Sequence, residues 1–129
     1  MCCPDCGAEP VACAVPGSLR EFVPGTERAV ALCPACLDLQ PATEPPAEPA
    51  FERVHDSFPT DPEAAVPMAL LLGLLDELAL YRSEISALLE RVERAGVNPL
   101  LLLSRLAGDP EIDSGVDLDT RRHQLEQLL

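Results

Sequence analysis

The spacing of apolar residues changes along this chain, and each change marks a different kind of element. In the first third the apolar runs are short: Val11 to Val15, Leu19 to Val23 and Ala29 to Leu32. Pro16-Gly17 and Pro24-Gly25 separate them, and such dipeptides mark turns. This predicts short antiparallel strands. Between residues 38 and 50, Pro41, Pro45, Pro46 and Pro49 alternate with Ala, Thr and Glu, the composition of an extended, semi-rigid linker. Phe51, Val54 and Phe58 are placed to anchor the following segment on a helix. From residue 61 the period becomes helical. Leu71, Leu74, Leu75 and Leu78, then Ile85, Leu88, Leu89 and Val92, recur at three- and four-residue intervals. Arg82, Glu84, Glu90, Arg91, Glu93 and Arg94 take the opposite side. The pattern therefore divides the chain into residues 1–37, a Pro-rich linker over 38–60, and a helical region over 61–129.

Helix boundaries carry their own signals. Thr60-x-x-Glu63 resembles a capping box, and Asp61 before Pro62 offers an alternative start. Pro67 either kinks the first turns or marks the true beginning. Ser83 offers a cap for a second helix, which would split 61–95 in two. Gly96 is a stop. Asn98 before Pro99 opens a short helix ending at Gly108, and Asp117 or Asp119 opens a last one. The result is a helical hairpin or bundle.

The stretch Leu70 to Leu80 is apolar around most of its circumference. A small helical unit cannot easily bury it all, so two readings stand for this stretch, packing into the core alone or a protein–protein or self-association surface. The longest apolar run, Ala64 to Leu75, spans 12 residues, short of the roughly 20 a bilayer crossing needs. No membrane contact is expected.

Charge adds a further constraint. Among 129 residues there are 22 acids and nine basic residues, all arginine, for a net charge of −13. The acids are spread, with seven against two arginines in residues 1–50 and fifteen against seven in 51–129. Such a surface does not attract phosphate backbones or anionic lipid. A lysine-free acidic surface fits a protein adapted to molar salt. The start of the sequence has no charged stretch followed by an apolar run and a cleavage site, so a cytoplasmic location is expected, where cysteines are thiols or metal ligands.

The strongest chemical signal is a repeated turn, Cys3-Pro4-Asp5-Cys6 and Cys33-Pro34-Ala35-Cys36, either side of a 26-residue insert. Two Cys-x-x-Cys turns supply four thiolates, the donor set of a closed structural zinc site. The expected ligands are Cys3, Cys6, Cys33 and Cys36, with Arg20 or Arg28 nearby to temper the thiolate charge. Cys2 has the wrong spacing to Cys6, and Cys13 reads as a small buried apolar residue. Knuckle, strands and knuckle in that order form a zinc ribbon. The fold class is thus small α+β, an N-terminal zinc ribbon of short antiparallel strands followed by a C-terminal helical hairpin or bundle. A closed site leaves no open position for catalysis, and a thiol-exchange role would need a βαβ setting that neither pair has. His55 beside Asp56, His123, and the Arg121-Arg122-His123 cluster read as surface residues. No Gly-rich phosphate loop or nucleophile elbow occurs in the sequence.

The knuckles resemble the CPxCG zinc-ribbon knuckles of many small archaeal proteins. Cys3-Pro4-Asp5-Cys6-Gly7 matches fully, and Cys33-Pro34-Ala35-Cys36-Leu37 lacks the glycine. The whole chain also resembles an uncharacterised haloarchaeal protein family. That likeness runs through the knuckles, Ser57 to Pro62, Arg91 to Gly96 and the closing Arg121 to Leu129, and it implies a zinc fold without implying an activity. The expected function is a non-enzymatic, zinc-binding interaction or adaptor module with a protein partner. One alternative is a transcription-associated or nucleic-acid-binding ribbon, against which stand the few basic residues of the ribbon. The other is rubredoxin-like electron transfer, which shares the knuckles but relies on an aromatic core absent here.

Overall fold

The computed structural model describes residues 8–23, 28–42, 45–114 and 116–128. Three short strands form an antiparallel sheet in sequential order: β1 (Val11–Ala14), β2 (Ala29–Leu32) and β3 (Leu39–Ala42). Val11 pairs with Leu32 and Ala14 with Ala29, while Ala29 pairs with Ala42 and Leu32 with Leu39. β2 is central and all four of its residues are buried. Two of the expected strand runs are thus strands.

The third run is not. Leu19 to Val23 falls largely within a 3₁₀ turn, Gly17–Phe22, fastened by Leu19 N–H donating to the Pro16 carbonyl and Val23 N–H to that of Arg20. Leu19 and Val23 are buried and Phe22 half-buried. These three stand at i, i+3 and i+4, which is helical spacing. β3, in turn, lies inside the stretch whose composition reads as linker. Its Pro41 is exposed and β3 is an edge strand, where a missing N–H costs no ladder bond.

Four helices follow: α1 (Pro62–Leu74), α2 (Arg82–Arg94), α3 (Pro99–Ala107) and α4 (Leu118–Leu128). Asp61 caps α1, its Oδ1 accepting the Glu63 amide at 3.0 Å, with Pro62 at the first helical position. The helix runs through Pro67. A 3₁₀ turn, Leu75–Glu77, breaks the 61–95 stretch in two, and α2 begins after Tyr81 without a side-chain cap, so Ser83 lies inside the helix rather than at its start. Gly96 ends α2 at φ 91°, a backbone region glycine enters without steric cost. Asn98 Oδ1 accepts the Leu101 amide at 3.1 Å and Asp117 Oδ1 the Thr120 amide at 3.1 Å, which caps α3 and starts α4.

Of the two readings of the leucines, the structure favours packing into the core. Leu70, Leu71, Leu72, Leu74, Leu75 and Leu78 are all buried, and among the leucines of that stretch Leu80 is the exposed one, at 70%. α1 packs on α2 and also on β3. The excess apolar circumference is thus covered from within, by the sheet on one side and a helix on the other. Burial of each such leucine contributes about 1.5–3 kcal/mol, so the surplus is spent on the core. Sheet and helices share one continuous apolar cluster running from Val11 and Cys13 through Phe51 and Phe58 to Leu103 and Leu125. No helix among the described residues is long and apolar enough to cross a membrane.

Candidate metal centre

β2 runs directly into the second knuckle. Cys33 follows Leu32, Pro34 to Cys36 form the turn, and β3 begins at Leu39. The Cys33 N–H donates to the Asp38 carbonyl and the Leu37 N–H to the Cys33 carbonyl, both at 2.9 Å. Leu37 sits at φ 61°. That is the position at which the full knuckle pattern carries glycine, and the backbone adopts the left-handed turn although the side chain is present. Leu37 is buried in the core cluster. Its burial, worth about 1.5–3 kcal/mol, offsets the left-handed cost of about 1–2 kcal/mol.

Cys33 is buried, at 1% exposure, and Cys36 is half-buried at the outer edge of the turn. Cys2, Cys3 and Cys6 lie outside the described residues. Among the described residues, no group of three or more His, Cys, Asp or Glu side chains is placed to hold a metal ion. Cys13 lies within β1 on the core side, and burial pushes its thiol up to about 11 from an ordinary 9.0. It stays protonated and packs as a small apolar residue.

The register fixes what surrounds the knuckle. Val15 N–H donates to the Arg28 carbonyl at 2.8 Å, and Arg20 Nε donates to the Val15 carbonyl at 3.3 Å. Both arginines therefore stand at the end of the sheet remote from Cys33, roughly 17 Å away along five residues of strand. The expectation that they temper the thiolate charge is corrected by this geometry. Carboxylates flank the knuckle instead. The Asp113 N–H donates to the Ala35 carbonyl at 2.7 Å, which ties the loop before α4 to the turn. The groove so formed is lined by Cys36, Asp38, Asp76, Glu111 and Asp113 around Leu72. Asp76, Glu111 and Asp113 come from segments far from the knuckle in sequence, so no local pattern announces them.

The histidines have structural settings. His55 Nδ1 accepts the Ser57 amide at 2.9 Å and its Nε2 lies 3.6 Å from Asp109 Oδ2, which ties the Phe51–Phe58 segment to the loop after α3. Arg122 is held between Asp119 and Glu126 at 2.9 and 2.7 Å, and the Asp119 hydrogen bond holds its guanidinium above its ordinary value. Arg121 donates to the Asp76 carbonyl and to Gln124. The basic cluster of α4 is thus engaged with its own neighbours.

The sequence model of a family of unknown function, DUF6276, matches residues 2–129. The chain belongs to that family. The match covers knuckles, sheet and helices together, in keeping with the whole-chain likeness to an uncharacterised family expected from the sequence. No curated protein and no solved structure matches the chain.

Proposed function

We propose that the protein is a non-enzymatic, zinc-stabilised interaction module in which Cys3, Cys6, Cys33 and Cys36 hold one structural zinc ion. The observation that carries this reading is the knuckle turn at the end of β2, taken with the register of β1 against it. Val11 pairs with Leu32, the residue before Cys33. Only four residues separate Cys6 from Val11, a span of at most about 18 Å, which supports the reading that both Cys-Pro-x-Cys pairs serve one site. The donor chemistry agrees: two thiolates from each turn match the soft, tetrahedral preference of zinc and close its shell.

The surface on which a partner acts is read differently from the sequence expectation. The leucines of α1 are committed to the core, so contacts with a partner fall to the knuckle end. That end carries carboxylates, which weighs against the nucleic-acid alternative because phosphate backbones are repelled there. The lysine-free acidic composition supports the salt-adapted, haloarchaeal reading.

Metal analysis of the purified chain tests the proposal. The expected result is one zinc per chain, a colourless protein, and loss of that zinc in Cys33→Ser. Red absorbance with one iron per chain would favour electron transfer instead, and a metal-free folded chain would sink both readings.

A further inference from the structure

At the end of the sheet opposite the knuckle, an open cleft of about 790 Å³ lies between the 3₁₀ turn Gly17–Phe22, the start of α1 and the end of α2. Its floor is apolar, with Val15, Leu19 and Val66. Its rim holds Ser18, Glu63 and three of the chain's nine arginines, Arg20, Arg91 and Arg94. Arg94 pairs with Glu90 one turn away. Arg20 and Arg91, like Arg53, Arg82, Arg105 and Arg121, are in no ion pair among the described residues; what sets the two apart is that they meet at one cleft. Arg20 Nε donates to the Val15 carbonyl at 3.3 Å, and Arg91 Nη2 donates to Ser18 Oγ at 3.3 Å. Each guanidinium is steadied by one neutral acceptor among the described residues, out of five N–H donors it carries. Glu63 shares the rim without pairing to either.

Neither helix end at the cleft sets its charge. The N-terminus of α1 is already capped by Asp61, whose carboxylate and carbonyl accept the amides of Glu63, Ala64 and Ala65, and at the C-terminus of α2 the carbonyls of Arg91, Val92 and Glu93 accept the amides of Ala95, Val97 and Gly96. Two guanidiniums with no ion-pair partner among the described residues, above an apolar floor, are the parts of a site for an oxyanion on an apolar body.

We propose that this cleft binds an organic anion, a carboxylate or phosphate carried on an apolar body, with Arg20 and Arg91 on the oxyanion and Val15, Leu19 and Val66 against the body. It stands independently of the metal reading, since it uses no cysteine. Amide chemical-shift titrations of the full chain, as purified, test it with hexanoate, hexyl phosphate and the neutral control hexanol. The expected result is saturable shifts at Ser18, Leu19, Arg20, Val66 and Arg91 with at least one anion, and binding of hexanol weaker by about tenfold or more, the scale of one charge-assisted hydrogen bond. The tighter of the two anions assigns carboxylate or phosphate. Arg91→Gln weakens that anion by about tenfold, while Arg82→Gln, on the exposed start of α2, leaves it unchanged. The proposal fails if hexanol binds as well as the anions, if no anion saturates the cleft amides, or if both substitutions weaken binding equally. Should Arg91→Gln not fold, the comparison of anion with hexanol on the wild type still decides.

Discussion

Leu37 sets two opposing costs against each other at a single residue. Its φ of 61° lies in the region that favours glycine, and its side chain is buried under the knuckle. The two terms separate on substitution. Leu37→Ala keeps a Cβ in the left-handed turn and loses most of the burial. Leu37→Gly loses the same burial but releases the strain. Both variants are expected to destabilise the chain, with Leu37→Ala the worse by about 1 kcal/mol. Chemical denaturation of the metal-loaded protein reads the order directly, and an alanine variant as stable as the glycine variant would contradict the left-handed turn. In ordinary surface loops the glycine variant would be the less stable of the two, so the reversal is diagnostic. The turn from Cys33 to Cys36 was legible in the sequence from Cys-Pro-x-Cys alone. That a buried leucine could replace the missing glycine was not, because the compensation comes from packing rather than from the turn.

At the scale of elements, α1 depends on one close approach. A Cβ added at Gly73 would lie 2.5 Å from Leu39 Cδ2 and 2.9 Å from Leu39 Cβ. The first atom can swing aside, whereas the second is fixed to the backbone of β3. Gly73→Ala should gain about 1 kcal/mol of helix propensity and lose about 1–3 kcal/mol to overpacking, for a net destabilisation. In a Leu39→Ala background, with Cδ2 and Cγ gone, the penalty should shrink, and a double-mutant cycle measures the difference. Additive effects would mean that α1 does not press on β3. The same contact explains why the leucines left two readings open. Elements with local signals were readable: Asn98-Pro99 and Gly108 bound α3, and Gly96 ends α2. β3 was hidden because its own sequence, Leu39-Gln40-Pro41-Ala42, looks like linker, although only six residues separate it from its partner β2. Once β3 is present, α1 has a second surface to bury, and the excess of leucine disappears.

The whole molecule places Cys33, Cys36 and the groove carboxylates at one end of the sheet and Arg20, Arg91 and Arg94 at the other, and connects them through one core. That continuity determines what removing the proposed zinc ion would do. If the ribbon were a separate unit, a chelator would unfold residues 1–37 and leave the helices intact. Here Val11, Val30 and Leu32 of the sheet lie in the same buried cluster as Leu70, Leu71 and Leu88, and α1 rests on β3. Loss of the metal should therefore reach the helices. Treatment with a strong zinc chelator is expected to lower the thermal midpoint of the helical circular-dichroism signal, in a single transition that coincides with exposure of the Cys13 thiol to alkylation. Structural zinc is worth about 10–16 kcal/mol in small zinc modules, comparable to the whole stability of a domain, about 5–15 kcal/mol, so the effect is a large one. Cys33→Ser should reproduce the chelated behaviour without any chelator. Helices that melt at an unchanged temperature after chelation, while Cys13 becomes reactive, would show that the sheet and the helices fold as independent units despite their shared contacts.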